Sequence, residues 1–84
     1  MRYTVLWSPE AEDQLAEIWI EAADRNAVTA AQATIDEELA ADPETKGKEA
    51  SEDLRRFKVE PLVVLFEIQP GDRLAIVTAV RRAP

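Results

Sequence analysis

Residues 2–7, Arg-Tyr-Thr-Val-Leu-Trp, set Tyr3, Val5 and Trp7 against Arg2, Thr4 and Leu6, and this period of two predicts a strand rich in aromatic and β-branched residues. Ser8-Pro9-Glu10 then opens a helix. Ser8 supplies a cap for the free amides, Pro9 suits the first helical position, and Glu10, Glu12 and Asp13 bring negative charge to the positive end of the dipole. Ala11, Leu15, Ile18, Trp19 and Ala22 recur at helical spacing as one apolar stripe, so the helix packs by one face. Asp24-Arg25-Asn26 reads as a turn, with Asn26 capping a second helix from about Ala27 to Ala41 whose inner stripe is Val28, Ala31, Ile35 and Leu39. Asp42-Pro43 ends it, because the residue before a proline disfavours helical geometry. The short connection predicts an antiparallel helical hairpin.

From Pro43 to about Asp53 the chain is polar and nothing periodic survives, which predicts a mobile loop. Leu54 to Glu60 alternates again, with Phe57 and Val59 on one face and Arg56 and Lys58 on the other. Residues 62–68 are apolar on both faces except at Glu67 and read as a central strand. Gln69-Pro70-Gly71-Asp72 is a turn, Arg73 to Val80 is the last strand, and Arg81-Arg82-Ala83-Pro84 is too short for another element. The predicted order is β-α-α-β-β-β, one α+β domain over residues 1–84 with the helical hairpin packed on one face of a mostly antiparallel sheet.

Composition narrows what such a domain does. The 84 residues contain no Cys and no His, which removes thiol and imidazole catalysis and the usual zinc ligands. Proton transfer would fall to Lys, Tyr3 or a carboxylate. The opening residues do not read as a signal peptide and no apolar run reaches membrane-spanning length, so the expectation is a cytoplasmic protein without a membrane partner. The net charge of -7 is unevenly spread: residues 1–44 carry 11 acids and two bases, residues 45–84 six acids and eight bases. An acidic helical half therefore precedes a mildly basic sheet half.

This order of elements, together with Tyr3-Thr4-Val5, Ser8-Pro9-Glu10-Ala11-Glu12-Asp13-Gln14-Leu15 with Ile18 one turn on, the Asp42-Pro43 break, Leu54-Arg55-Arg56-Phe57, and the paired runs 62–68 and 74–82, resembles the RelE/ParE superfamily. These are toxins of bacterial type II toxin–antitoxin pairs, and the likeness covers nearly the whole chain. It implies neutralisation by a cognate antitoxin whose tail folds on the toxin, a role of the plasmid-stabilisation kind, and no cofactor. RelE-like members cut messenger RNA on the ribosome; ParE-like members are thought to act on DNA gyrase without nuclease chemistry.

Carried over by position, the resemblance makes Arg56 and Lys58, with Arg81 or Arg82, the candidate catalytic residues: Lys58 as base, the arginines holding phosphate. Two elements of the nuclease pattern are missing. Leu62-Val63 stands where an aromatic-Arg pair opens the strand in nuclease members, and the sequence ends at Pro84 without a terminal Tyr or His to act as acid. Losing one charge-stabilising donor costs about 3–4 kcal/mol of transition-state stabilisation, so the reading leans towards a ParE-like or catalytically degenerate toxin working by protein binding. The alternatives are a ribosome-dependent endoribonuclease with a rearranged site and a non-toxic interaction domain retaining the fold. Plainer readings also stand: Arg56 and Lys58 as the solvent face of a strand, Arg81 and Arg82 as a solubilising tail or an attractor for an acidic antitoxin segment. Glu67 reads as a solvated or Arg73-paired carboxylate, Trp7 and Trp19 as core or helix–sheet contacts, and the helix acids as solvated faces with no metal-ligand pattern.

Overall fold

The computed structural model describes residues 2–84. Strand β1 (Thr4–Trp7) leads into helices α1 (Pro9–Glu21) and α2 (Arg25–Ala41); a 3-10 turn at Pro43–Thr45 is followed by β2 (Lys48–Ser51), β3 (Leu54–Val59), β4 (Leu62–Gln69), a second 3-10 turn at Pro70–Asp72 and β5 (Leu74–Arg82). The sheet order is β1-β5-β4-β3-β2, with β1 parallel to β5 and every other pair antiparallel. Two helices on one face of this mixed sheet make the expected α+β architecture, with β4 central.

The core lies where the two helical stripes meet the sheet. Ala11 of α1, Val28, Ala31, Ile35 and Leu39 of α2, Leu62, Val64 and Phe66 of β4, and Ala75, Val77 and Val80 of β5 form one buried cluster. Ser8 caps α1 as its sequence implies, its Oγ accepting from the Ala11 amide at 3.1 Å. Such a cap stabilises a helix by about 1 kcal/mol. The same residue ties the helix to the sheet: its amide donates to the Val77 carbonyl at 2.9 Å and its hydroxyl to the Thr78 carbonyl at 3.3 Å. Because β1 pairs only as far as Val77, the upper edge of β5 is left for α1 to cover, and Gln14 Oε1 accepts the Val80 amide there at 2.9 Å.

Several sequence expectations are corrected. The second helix is capped by Asp24, whose carboxylate accepts from the Ala27 amide, and not by Asn26. Starting there makes Arg25 the first helical residue, and its guanidinium donates to the carbonyls of Trp19 (3.0 Å) and Ile20 (2.8 Å) at the end of α1, whose last turn has no base of its own. Trp19 is not core: it is 43% exposed, lies 4.7 Å from the Arg25 guanidinium and donates to Thr29. Trp7 does pack against the core, and its indole N–H donates to Asp36 at 2.7 Å.

The segment 43–53 is ordered by pairing instead of forming a loop. β2 runs along the edge of β3, with Lys48 opposite Arg56 and Glu49 opposite Arg55. The Arg55 side chain grips the approach, donating to the carbonyls of Lys46 (2.9 Å) and Gly47 (3.1 Å). Lys46 in turn pairs with Glu38 of α2 at 2.8 Å, and that bond and charge raise its ammonium pKa above the ordinary lysine value. Gly47 has φ 67°, and a Cβ there would stand 2.1 Å from the Arg56 carbonyl oxygen. Gly47→Ala is therefore expected to cost more than the roughly 1–2 kcal/mol that a left-handed backbone alone imposes, because β2 must also move off β3. Gly71→Ala, with nothing within 4 Å, is expected to be neutral; urea denaturation of the two variants checks the contrast.

Candidate functional site

The helices cover one face of the sheet, so the chemistry on the other face depends on which side chains the register sends there. Opposed residues share a face. Lys58 of β3 stands opposite Val63 of β4, and Val63 opposite Arg81 of β5; the neighbouring row is Arg56, Leu65 and Ala79, with Lys48 of β2 opposite Arg56. The helix-free face thus collects Arg56, Lys58 and Arg81, all exposed, at one end. Strands lie about 4.8 Å apart, which separates the Lys58 and Arg81 backbones by roughly 10 Å, a span their long side chains can close over Val63. Towards the other end the face becomes apolar through Leu65, Ile76 and the 45%-exposed Leu6.

Arg82 does not join this group. A bulge decides the matter. Phe66 opposes Val77 whereas Leu65 opposes Ala79, so Thr78 is an extra residue in β5 and the alternation reverses after it. Val80 and Arg82 consequently follow Val64 and Leu62 on the helix side, while Ala79 and Arg81 turn to the open face. Arg82 lines a crevice with Glu17, Ile18 and Glu21 of α1, which Arg81 also borders, so it is the register and not the crevice that separates the two arginines. β5 also continues through Arg82 instead of stopping at Val80, so the two arginines are part of a strand and not a tail.

The electrostatics of the cationic end are those of exposed groups. Lys58 Nζ meets Glu60 Oε1 at 3.0 Å, a solvent-exposed pair of little energetic weight. Arg55, clustered with Arg56 in sequence, is spent on the Lys46 and Gly47 carbonyls. Glu67 is not paired with Arg73; one of its oxygens accepts from Gln69 Nε2 at 3.3 Å. It lies on the open face opposite Ile76, four residues along β4 from Val63 and about 13 Å away. Tyr3, just before β1, donates to Glu44 at 3.4 Å; burial, then the Glu44 charge and hydrogen bond, raise its phenol above the ordinary value. Among the described residues no group of three or more acids is gathered that could hold a metal ion. Sequence reasoning missed Lys48, which joins the cationic end only because β2 exists, and Gln14, which borders the Val63–Arg81 end of the face.

Residues 5–83 match the family described as ParE toxin of type II toxin–antitoxin system, parDE. The chain belongs to the ParE toxin family. Solved structures agree on the fold. A chain of the toxin–antitoxin complex RelBE2 from Mycobacterium tuberculosis superposes with a TM-score of 0.82 at 15% identity, covering 99% of this chain and 93% of that one. A chain of the chromosomal ParDE system from P. aeruginosa gives 0.67 at 14% identity over 99% and 98%, and the isolated E. coli RelE toxin 0.66 at 13% over 98% and 85%. At such identities the likeness concerns the fold alone. No curated protein matches by sequence. As a ParE-family member the chain is a toxin component of a type II system, and none of its helices among the described residues is long and apolar enough to cross a membrane.

Proposed function

We propose that this ParE-family toxin acts by binding a macromolecular target through the helix-free face of its sheet, without cutting RNA, and that a cognate antitoxin neutralises it. The observation that carries the reading is the Lys58–Val63–Arg81 row: two exposed cations flank a Val63 that is itself buried, which suits docking of an anionic group. Cleavage would require a base, a phosphate-holding donor and an acid converging on one phosphodiester. Here the middle position of the row is Val63, and Tyr3 and Glu67 lie away from Lys58. The antitoxin reading is supported by relatives solved as toxin–antitoxin complexes, RelBE2 and ParDE. DNA gyrase is the proposed target class, following the family's ParE-like members.

A second reading is favoured by the same clustering of Arg56, Lys58 and Arg81, since three cations on one face also suit a phosphate backbone: a ribosome-dependent endoribonuclease with Lys58 as base. One pair of assays separates the two. Purified toxin is expected to inhibit supercoiling by gyrase and to leave messenger RNA ends on translating ribosomes unchanged. New ends that disappear in Lys58→Ala would establish the nuclease instead. Unimpaired growth on induction, with neither effect in vitro, would leave only a non-toxic interaction domain.

A further inference from the structure

The bulge that parts Arg81 from Arg82 also changes what stands beside Arg81 on the open face. Alternation carried unbroken from Ile76 would bring Thr78 and then Val80 to that face. The extra residue brings Ala79 there instead, opposite Leu65, and sends Val80 to the helix side, where it is 5% exposed. A methyl group thus stands where an isopropyl group would have been, and a recess of about 150 Å³ opens among Val63, Leu65 and Ala79.

Gln14 and Arg81 line the same recess, and both are donors. Gln14 Oε1 accepts the Val80 amide at 2.9 Å, which holds the carboxamide in place and leaves its Nε2 protons without a partner among the described residues. The Arg81 guanidinium is likewise free of any ion pair among the described residues. This chemistry selects the occupant. The volume holds one aliphatic side chain and falls below the roughly 300 Å³ from which small-molecule sites begin. Donors beside it, with Lys58 across Val63, call for carboxylates next to that side chain. Nucleic acid would supply the negative charge, but its bases are held by stacking on aromatic rings. None of the aromatic residues lines the recess: Trp7, Phe57 and Phe66 pack with the core, Trp19 is on α1, and Tyr3 is bonded to Glu44. A second copy of this chain would set one basic row against another, so like charges oppose self-association here.

We propose that the recess receives a Leu, Ile or Val side chain from an acidic segment of the toxin's target protein, with Arg81 and Gln14 holding one neighbouring carboxylate and Lys58 a second. The inference rests on the reading of this face as the target surface and narrows the target contact to an aliphatic residue set among Asp or Glu.

Induced-culture growth and peptide binding test it together. Ala79→Leu fills the recess with an isobutyl group and alters no charge. It is expected to lose growth inhibition while melting at the wild-type temperature. Ala79→Val, which adds only two methyl groups, serves as the comparison should the leucine lower the melt, and is expected to raise the inducer level needed for inhibition several-fold. In anisotropy titration the purified chain is expected to bind a fluorescein-labelled peptide carrying Asp-Glu-Leu-Asp-Glu at least ten-fold more tightly than the same peptide with Ser for Leu, or than a single-stranded RNA of equal charge. Ala79→Leu is expected to remove that preference. Full toxicity of a folded Ala79→Leu variant overturns the recess, and the charge reversal Lys58→Glu/Arg81→Glu then shows what remains: if inert, the face binds its target without the recess; if toxic, the reading of the face falls as well. Absence of the preference for Leu would reduce the contact to charge alone, and tighter binding of the RNA would assign it to a phosphate backbone; either result overturns the proposal.

Discussion

Reversing both charges of the open-face row, in Lys58→Glu/Arg81→Glu, is expected to abolish growth inhibition on induction, while Arg82→Glu leaves it close to wild type. The register is the reason. Lys58 and Arg81 flank Val63 on the helix-free face, whereas the bulge at Thr78 sends Arg82 to the helix side, beside Glu17 and Glu21. Charges opposed across an interface typically cost several kcal/mol when reversed, and each 1.4 kcal/mol is tenfold in affinity, so two reversals amount to a loss of more than a hundred-fold. Stability is expected to change little: all three side chains are exposed, and only Lys58 has an ion pair, with Glu60, that the substitution removes. Induced-culture growth curves, with circular dichroism melts of the purified variants, check the result. Equal toxicity of the double variant, or an Arg82→Glu variant as inert as the double, would show that the target does not sit on this face.

This contrast also marks where the sequence stops being legible. The period-two run before Ser8, the Ser8 cap, the Val28-Ala31-Ile35-Leu39 stripe and the two-sided apolar run of β4 are each written in a local pattern that one tertiary solution satisfies. Arg81 and Arg82 are adjacent in a strand, so strict alternation puts them on opposite faces, but which face each takes depends on the residue at which the count begins. The extra residue at Thr78 resets that count, and its side chain, whose hydroxyl donates to the Leu65 carbonyl at 3.4 Å, looks from sequence like any strand threonine. β2 was hidden for a different reason. All four of its residues are exposed, so no alternation of apolar and polar positions exists to be read. Its order comes from the β3 edge and from Arg55 reaching the Lys46 and Gly47 carbonyls, contacts between residues eight and nine apart. The Asp24 cap was missed because Asp24 and Asn26 are equally good caps in isolation, and the choice is made by Arg25, which reaches the α1 carbonyls only when the helix begins early.

Phe66→Ala is expected to produce the largest loss of stability of any single truncation in the chain. Phe66 is fully buried, in the central strand, between Arg55 of β3 and Val77 of β5 and under the α2 stripe of Ile35 and Leu39. Removing a buried phenyl ring costs about 3–5 kcal/mol, the transfer free energy plus the cavity left behind. A domain of this length has only about 4–13 kcal/mol of total stability at the usual 0.05–0.15 kcal/mol per residue. The variant thus loses about a quarter or more of the total, and urea denaturation is expected to show its midpoint shifted by about a quarter or more of the wild-type value with an unchanged slope. Leu6→Ala, on the open face at 45% exposure, is the control and is expected to lose less than about 1 kcal/mol. A Phe66→Ala midpoint close to wild type would mean that the sheet and helices collapse onto the vacated space. The two large effects also separate cleanly in a toxicity assay. Phe66→Ala silences the toxin by depleting the fold, and lowering the growth temperature restores activity in proportion to the folded fraction. Lys58→Glu/Arg81→Glu silences a folded protein, and no temperature restores it, because what is lost there is the charge of a surface the β5 bulge assembles.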